Sequence, residues 1–111
     1  MTRLSDLAIR LASEGTGLTP DQLISHSRER RLIFPRYAAV TALNRLGLST
    51  VSIGRALFRD HTTILHGLRN FDQKAPSSMK LLAHDIEVEL RRAVDAGDDA
   101  PAHPADTLVA A

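Results

Sequence analysis

An all-α fold is predicted by three features of the sequence. Apolar residues recur at helical spacing in several stretches, aromatic residues make up only 4% of the chain, and Ser, Thr or Asp stands just ahead of several apolar runs, where a helix cap belongs. With 111 residues and 43% hydrophobic content there is material for one modest core, so a single domain over residues 1–97 is expected.

Leu4, Leu7, Ala8 and Leu11 repeat at helical spacing, and Gly15 and Gly17 close the segment, which gives a first helix over roughly residues 3–14. Thr19, Pro20 and Gln22 supply an N-cap, a first-turn proline and a capping-box partner, so a short second helix runs to about Ser25. Residues 26–34 lose the period, carry three Arg and lead to Pro35. They read as a basic loop, with Pro35 opening the third helix. Tyr37, Val40, Thr41 and the run Leu43 to Leu46 surround that helix, and Gly47 is its C-cap. Ser49 caps a short fourth helix holding Val51, Ile53, Ala56 and Leu57. Asp60 caps a fifth, with Ile64, Leu65 and Leu68 facing inward and Phe71 continuing the apolar set. Pro76, Ser77 and Ser78 interrupt the chain, and Met79, Leu82, Ile86, Leu90 and Val94 build an amphipathic last helix closing near Gly97. Residues 98–111, rich in Ala, Pro and Asp, are expected to form a mobile tail.

The formal net charge of +1 hides a segregation along the chain. From His26 to Arg69 there are eight Arg (28, 30, 31, 36, 45, 55, 59 and 69) against two acids, Glu29 and Asp60, while both flanks are net acidic. A block of one sign inside a nearly neutral chain is the footprint of a phosphate-binding face, although arginine is also an ordinary solvated residue. The absence of cysteine excludes disulfides and thiolate metal sites. The start, Met1-Thr2-Arg3-Leu4-Ser5-Asp6, lacks the apolar run of a signal peptide or membrane span, so a cytoplasmic location without membrane attachment is expected.

Catalytic constellations are not suggested. His61 and His66 lie five apart on one helix, whereas helical metal-ligand pairs want three or four, so no metal or other cofactor is expected. Asp85, Glu87 and Glu89 occupy alternate helical positions and do not share a face for acid-base work. The chain is therefore expected not to be an enzyme.

The informative stretch is residues 49–71, STVSIGRALFRDHTTILHGLRNF. A capped short helix containing Gly54, a turn at Phe58-Arg59 and a second helix opening with Asp, His, Thr, Thr is the layout of a helix-turn-helix. The first turn of such a second helix enters the major groove of DNA. Asp accepts from the cytosine amino group, Thr and His pack on a thymine methyl, and Thr hydroxyls reach phosphates. Equally, Asp60 caps a helix and the two threonines suit solvent.

Ile53-Gly54, Arg59 to Thr63 and Ile64-Leu65-His66 resemble, in register, the signature of the carboxy-terminal DNA-binding domain of the bacterial replication initiator DnaA. The resemblance extends upstream through Pro35-Arg36 and the Leu23-Ile24-Ser25 segment and more weakly downstream, covering about residues 5–92. It implies a compact helical domain that binds a short asymmetric DnaA-box-like site on double-stranded DNA as a monomer. It also implies that the helix beginning at Asp60 reads the major groove through Asp60, His61, Thr62 and Thr63, while an arginine of the preceding basic loop, best aligned with Arg28, enters the minor groove. Around these, Arg30, Arg36, Ser49, Arg59, His66 and Arg69 complete the expected DNA-binding set. The chain departs from the family in three ways. Leu57-Phe58 stands directly before Arg59, making the turn one residue shorter than usual; Phe34 occupies a place usually held by Arg; and no G-x-x-x-x-G-K-[ST] phosphate loop is present, so no nucleotide is expected as a ligand.

Together these features predict a small regulator of replication initiation or transcription that acts by occupying a site, with replication or transcription proteins as further partners. A phage or mobile-element protein that binds DNA ends is the alternative within nucleic-acid binding. A protein-interaction module without DNA specificity is the alternative outside it.

Overall fold

Six helices make up residues 3–97, the part of the chain that the computed structural model describes: α1 (Arg3–Thr16), α2 (Pro20–Ile24), α3 (Arg30–Leu46), α4 (Thr50–Leu57), α5 (His61–Lys74) and α6 (Ser77–Asp95). The all-α expectation holds, and no strand occurs among the described residues. The tail expected at 98–111 lies outside them.

α3 is the hub. It packs against all five other helices, most extensively α6 and α1. Its burial from Pro35 to Leu43 is nearly continuous because neighbours cover it on every side. Small side chains permit this closeness: Ala8 and Ala12 of α1 meet a core that includes Ala38, Ala39 and Ala42 of α3, all fully buried. Leu4 and Ile9 of α1, Leu23 of α2 and Ile86 and Leu90 of α6 complete the central layer.

Local chemistry sets most boundaries. Thr19 Oγ1 accepts the Gln22 N–H at 3.1 Å while Gln22 Oε1 accepts the Thr19 N–H at 2.9 Å, a complete capping box. At the far end of α3, Gly47 adopts φ 122° and its N–H caps the Asn44 carbonyl, a conformation open to glycine and strained for other residues.

The start of α3 differs from the sequence expectation. Residues 30–34 are helical, and Pro35 sits inside the helix. The ring lacks the N–H that would bond the Arg31 carbonyl, but tertiary packing outweighs that loss. Leu32 is buried, Ile33 and Phe34 pack against the core, and the Phe34 ring meets Phe71 of α5 edge-on, with centroids 6.1 Å apart and planes at 74°. A loop would have left this apolar triplet in solvent. Only residues 25–29 remain as the connection, and of the three arginines expected in the loop it keeps Arg28 alone. α1 also runs past its expected end, to Thr16, because Gly15 is tolerated inside it.

Candidate nucleic-acid interface

α4 and α5 pack against one another across a short connection, Phe58-Arg59-Asp60. Ser49 Oγ accepts the Ser52 N–H at 3.0 Å and opens α4, while Asp60 Oδ2 accepts the Thr62 N–H at 3.0 Å and opens α5. Gly54 makes the connection possible. A Cβ there would stand 2.4 Å from the Arg59 carbonyl oxygen, a backbone atom that cannot step aside without re-aiming the turn. The Arg59 N–H closes the same turn by donating to the Gly54 carbonyl at 2.8 Å.

α5 is held to α3 by Tyr37. Its hydroxyl donates to the Thr63 carbonyl at 3.3 Å, and its ring lies so close to Gly67 that a Cβ would fall 1.9 Å from Cε1. Burial pushes the Tyr37 phenol above its usual range, so it remains a protonated donor. The first turn of α5 is thus fixed from behind by its backbone, which leaves its side chains free to face outward.

Those outward residues form one stripe. Ile64, Gly67, Leu68 and Phe71 face the interior, and the opposing positions Thr62, Leu65, His66 and Arg69 follow the i, i+3, i+4, i+7 rule and are exposed. His61 and Thr63 flank the stripe and are also exposed. Leu65 corrects the sequence expectation. The apolar pattern predicts it facing inward with its neighbours, but it lies about 100° around the helix from buried Ile64, on the face of Thr62 and His66. The periodicity counted from Thr62 carried that signal. Asp60 is exposed and its carboxyl is held below the ordinary aspartate range, chiefly by the Thr62 backbone N–H, then by the Thr62 side chain, with His61 adding a smaller attraction. The helix therefore presents a carboxylate at neutral pH.

The arginines divide into two groups. Arg28 and Arg30 are exposed, and Arg30 opens α3 with Arg31, so two cations stand at the positive end of a helix whose N-cap, Glu29, makes no side-chain capping bond. That is the unfavourable end of the dipole for a cation, and an approaching anion relieves it. Arg31 pairs with Glu29 at 2.9 Å across solvent.

Arg36 and Arg59 point inward instead. Arg36 is 3% exposed; its Nε donates to the Leu23 carbonyl at 2.6 Å and its Nη2 to the carbonyls of Ser25 at 3.0 Å, Ser27 at 3.2 Å and Gln22 at 3.5 Å. Arg59 donates to the carbonyls of Leu57 at 2.9 Å, Ile24 at 3.3 Å and Ser25. Both arginines belong to the DNA-binding set expected from the sequence, and the structure places both guanidinium groups on backbone carbonyls instead. The donors of Arg36 are occupied by carbonyls at the end of α2 and in the loop, which is why the side chain folds in. The two arginines share Ser25, so they fasten the loop bearing Arg28 to the turn that leads into α5. Burial lowers both guanidinium pKa values, and Arg59 lowers that of Arg36 further.

Between loop and helix lies a concavity of about 530 Å³, whose rim includes Arg28, Phe58, Arg59, Asp60 and Thr63. His66 and Arg69 lie further along the α5 stripe, and Ser49 is half-buried as a cap. No cluster of three or more potential metal ligands occurs among the described residues, and no described helix is long and apolar enough to cross a membrane.

The sequence profile of the family described as the bacterial dnaA protein helix-turn-helix matches residues 6–70. The chromosomal replication initiator protein DnaA of Thermomicrobium roseum is 39% identical over 77 residues, covering 68% of this chain and 17% of the relative. DnaA 1 of Chlamydia trachomatis is 30% identical over 87 residues, covering 78% and 18%. DnaA of Rhizobium meliloti is 32% identical over 95 residues, covering 84% and 19%. The chain thus spans less than a fifth of the length of these relatives. With the match covering α2 through α4 and most of α1 and α5, the chain belongs to the bacterial DnaA helix-turn-helix family.

Proposed function

We propose that this protein binds double-stranded DNA at a short, asymmetric, DnaA-box-like site and acts by occupying it, as a regulator of replication initiation or transcription rather than as an enzyme. The observation that carries the reading is the pairing of two exposed elements on one side of the molecule: the polar first turn of α5 and the loop bearing Arg28, which meet around the same concavity. In this reading α5 enters the major groove. His61, Thr62 and Leu65 address base edges and thymine methyls, Asp60 accepts from a cytosine amino group, and Thr63, His66 and Arg69 lie against phosphates. Arg28 enters the neighbouring minor groove, and Arg30 meets the backbone at the α3 N-terminus. Arg59 and Arg36 hold the two readers at a fixed separation, so both grooves are engaged in one register.

The test is a pair of substitutions titrated on a preferred and a random duplex. Thr62→Ala should cost about 1 to 3 kcal/mol on the preferred site and much less on the random one, because base contacts discriminate and phosphate contacts do not. Asp60→Asn keeps a capping side chain and removes the acceptor charge, so its loss should be confined to sites with cytosine at one position. Equal weakening of both duplexes by both variants contradicts helix-in-groove readout. Arg28→Ala should lower affinity without moving the thermal midpoint, since the residue is exposed.

A further inference from the structure

Phe58 is poorly suited to the fold that contains it. Its backbone adopts φ 57°, ψ 44°, and among the described residues it is the only non-glycine with positive φ. That conformation ends α4 and is one glycine adopts freely and an aromatic side chain does not. The residue is 68% exposed, so the strain is not repaid by burial in the core. Both costs attach to the shortened turn before Arg59, directly ahead of α5.

The ring's surroundings indicate what it meets. Phe58 lines the same concavity as Arg28 of the loop and as Asp60 and Thr63 at the start of α5. If α5 occupies one groove and Arg28 the next, the strand crossing this concavity is the sugar-phosphate ridge between them. That ridge alternates anionic phosphates with apolar deoxyribose faces, and a phenyl ring complements only the latter. Resting on the DNA-binding reading above, we propose that Phe58 is a DNA-contact residue that packs on a deoxyribose of the strand between the two grooves and supplies affinity independent of both sequence and salt.

This assignment separates Phe58 from every other contact in the interface. A base contact changes discrimination between duplexes, a phosphate contact changes the salt slope, and a sugar contact changes neither. It also sets stability against binding, because a residue retained for a ligand at a strained position is one whose removal relaxes the free protein.

The experiment compares the full chain with Phe58→Gly and Phe58→Asn, both of which accept the left-handed conformation, by thermal unfolding and by titration with preferred and random duplexes at several salt concentrations. The thermal midpoint of Phe58→Gly should rise. Both variants should bind preferred and random duplexes more weakly by the same factor, roughly tenfold, as expected for one aromatic face removed from the interface. The slope of log affinity against log salt should be unchanged. Wild-type affinity in the variants overturns the assignment. So does a loss confined to the preferred duplex, which marks a base contact, a shallower salt slope, which marks a phosphate contact, or a lower midpoint for Phe58→Gly, which means the fold itself holds the ring. A wild-type chain with no preferred duplex instead fails the DNA reading, and the contact with it.

Discussion

Gly54→Ala is expected to damage fold and interface together. The added Cβ would lie 2.4 Å from the Arg59 carbonyl oxygen, and the atom that must yield is backbone in a connection of three residues between two capped helices. Alanine gains about 1 kcal/mol over glycine in a helix interior, whereas forcing a methyl into closed space costs about 1 to 3 kcal/mol when side chains can adjust. Here backbone must move, so the upper end applies and a net loss of about 2 kcal/mol is expected in thermal or denaturant unfolding. The turn opens, α5 is re-aimed and the Arg59 anchors are displaced, so affinity for the preferred duplex should fall roughly tenfold or more. Gly15→Ala is the matched control. Its Cβ meets only the end of the flexible Leu82 side chain, at 2.7 Å, and the substitution should leave binding unchanged.

Arg36→Ala should lower stability more than removal of any exposed arginine, although Arg36 does not face the proposed ligand. Removing the guanidinium strips a charged donor from the carbonyls of Leu23, Ser25 and Ser27 and leaves a void in the hub helix. Charge-assisted bonds and stranded acceptors of this kind amount to about 3 kcal/mol, roughly a 15 °C fall in the midpoint for a domain of this size. Lysine should not rescue it, because a single ammonium cannot reproduce the spread of the guanidinium donors. With the loop released, Arg28 loses its fixed place beside α5 and affinity falls as well. Arg28→Ala, by contrast, should lower affinity alone, and the two variants together separate the residue that positions from the residue that touches.

Local signals made much of this legible in the sequence. Thr19-Pro20-Gln22, Ser49, Asp60 and Gly47 mark helix ends through chemistry confined to a few neighbouring residues, and the structure places caps at all four. The family signature, residues 53–66, is likewise a run of neighbouring residues, so family and motif are legible in the chain itself. What escaped depends on distant partners. The helical start at Arg30 rests on Phe34 finding Phe71, thirty-seven positions away, and three arginines masked the apolar triplet that drives it. The inward turn of Arg36 rests on carbonyls that only the fold gathers. An arginine in a basic block reads as a surface charge until those acceptors are known. Phe58 is intermediate: the turn was expected there, but the left-handed backbone of a non-glycine residue was not.

Site-specific recognition of DNA is most directly tested by selecting bound sequences from a random duplex pool at a stated, near-physiological salt concentration. Two readers on adjacent grooves, fixed by Arg36 and Arg59, should enrich a short asymmetric motif in which positions under α5 are specified by particular bases and a neighbouring A·T-rich step is favoured by Arg28. Enrichment of no motif, with retention that falls steeply with salt alike for all sequences, would contradict the account.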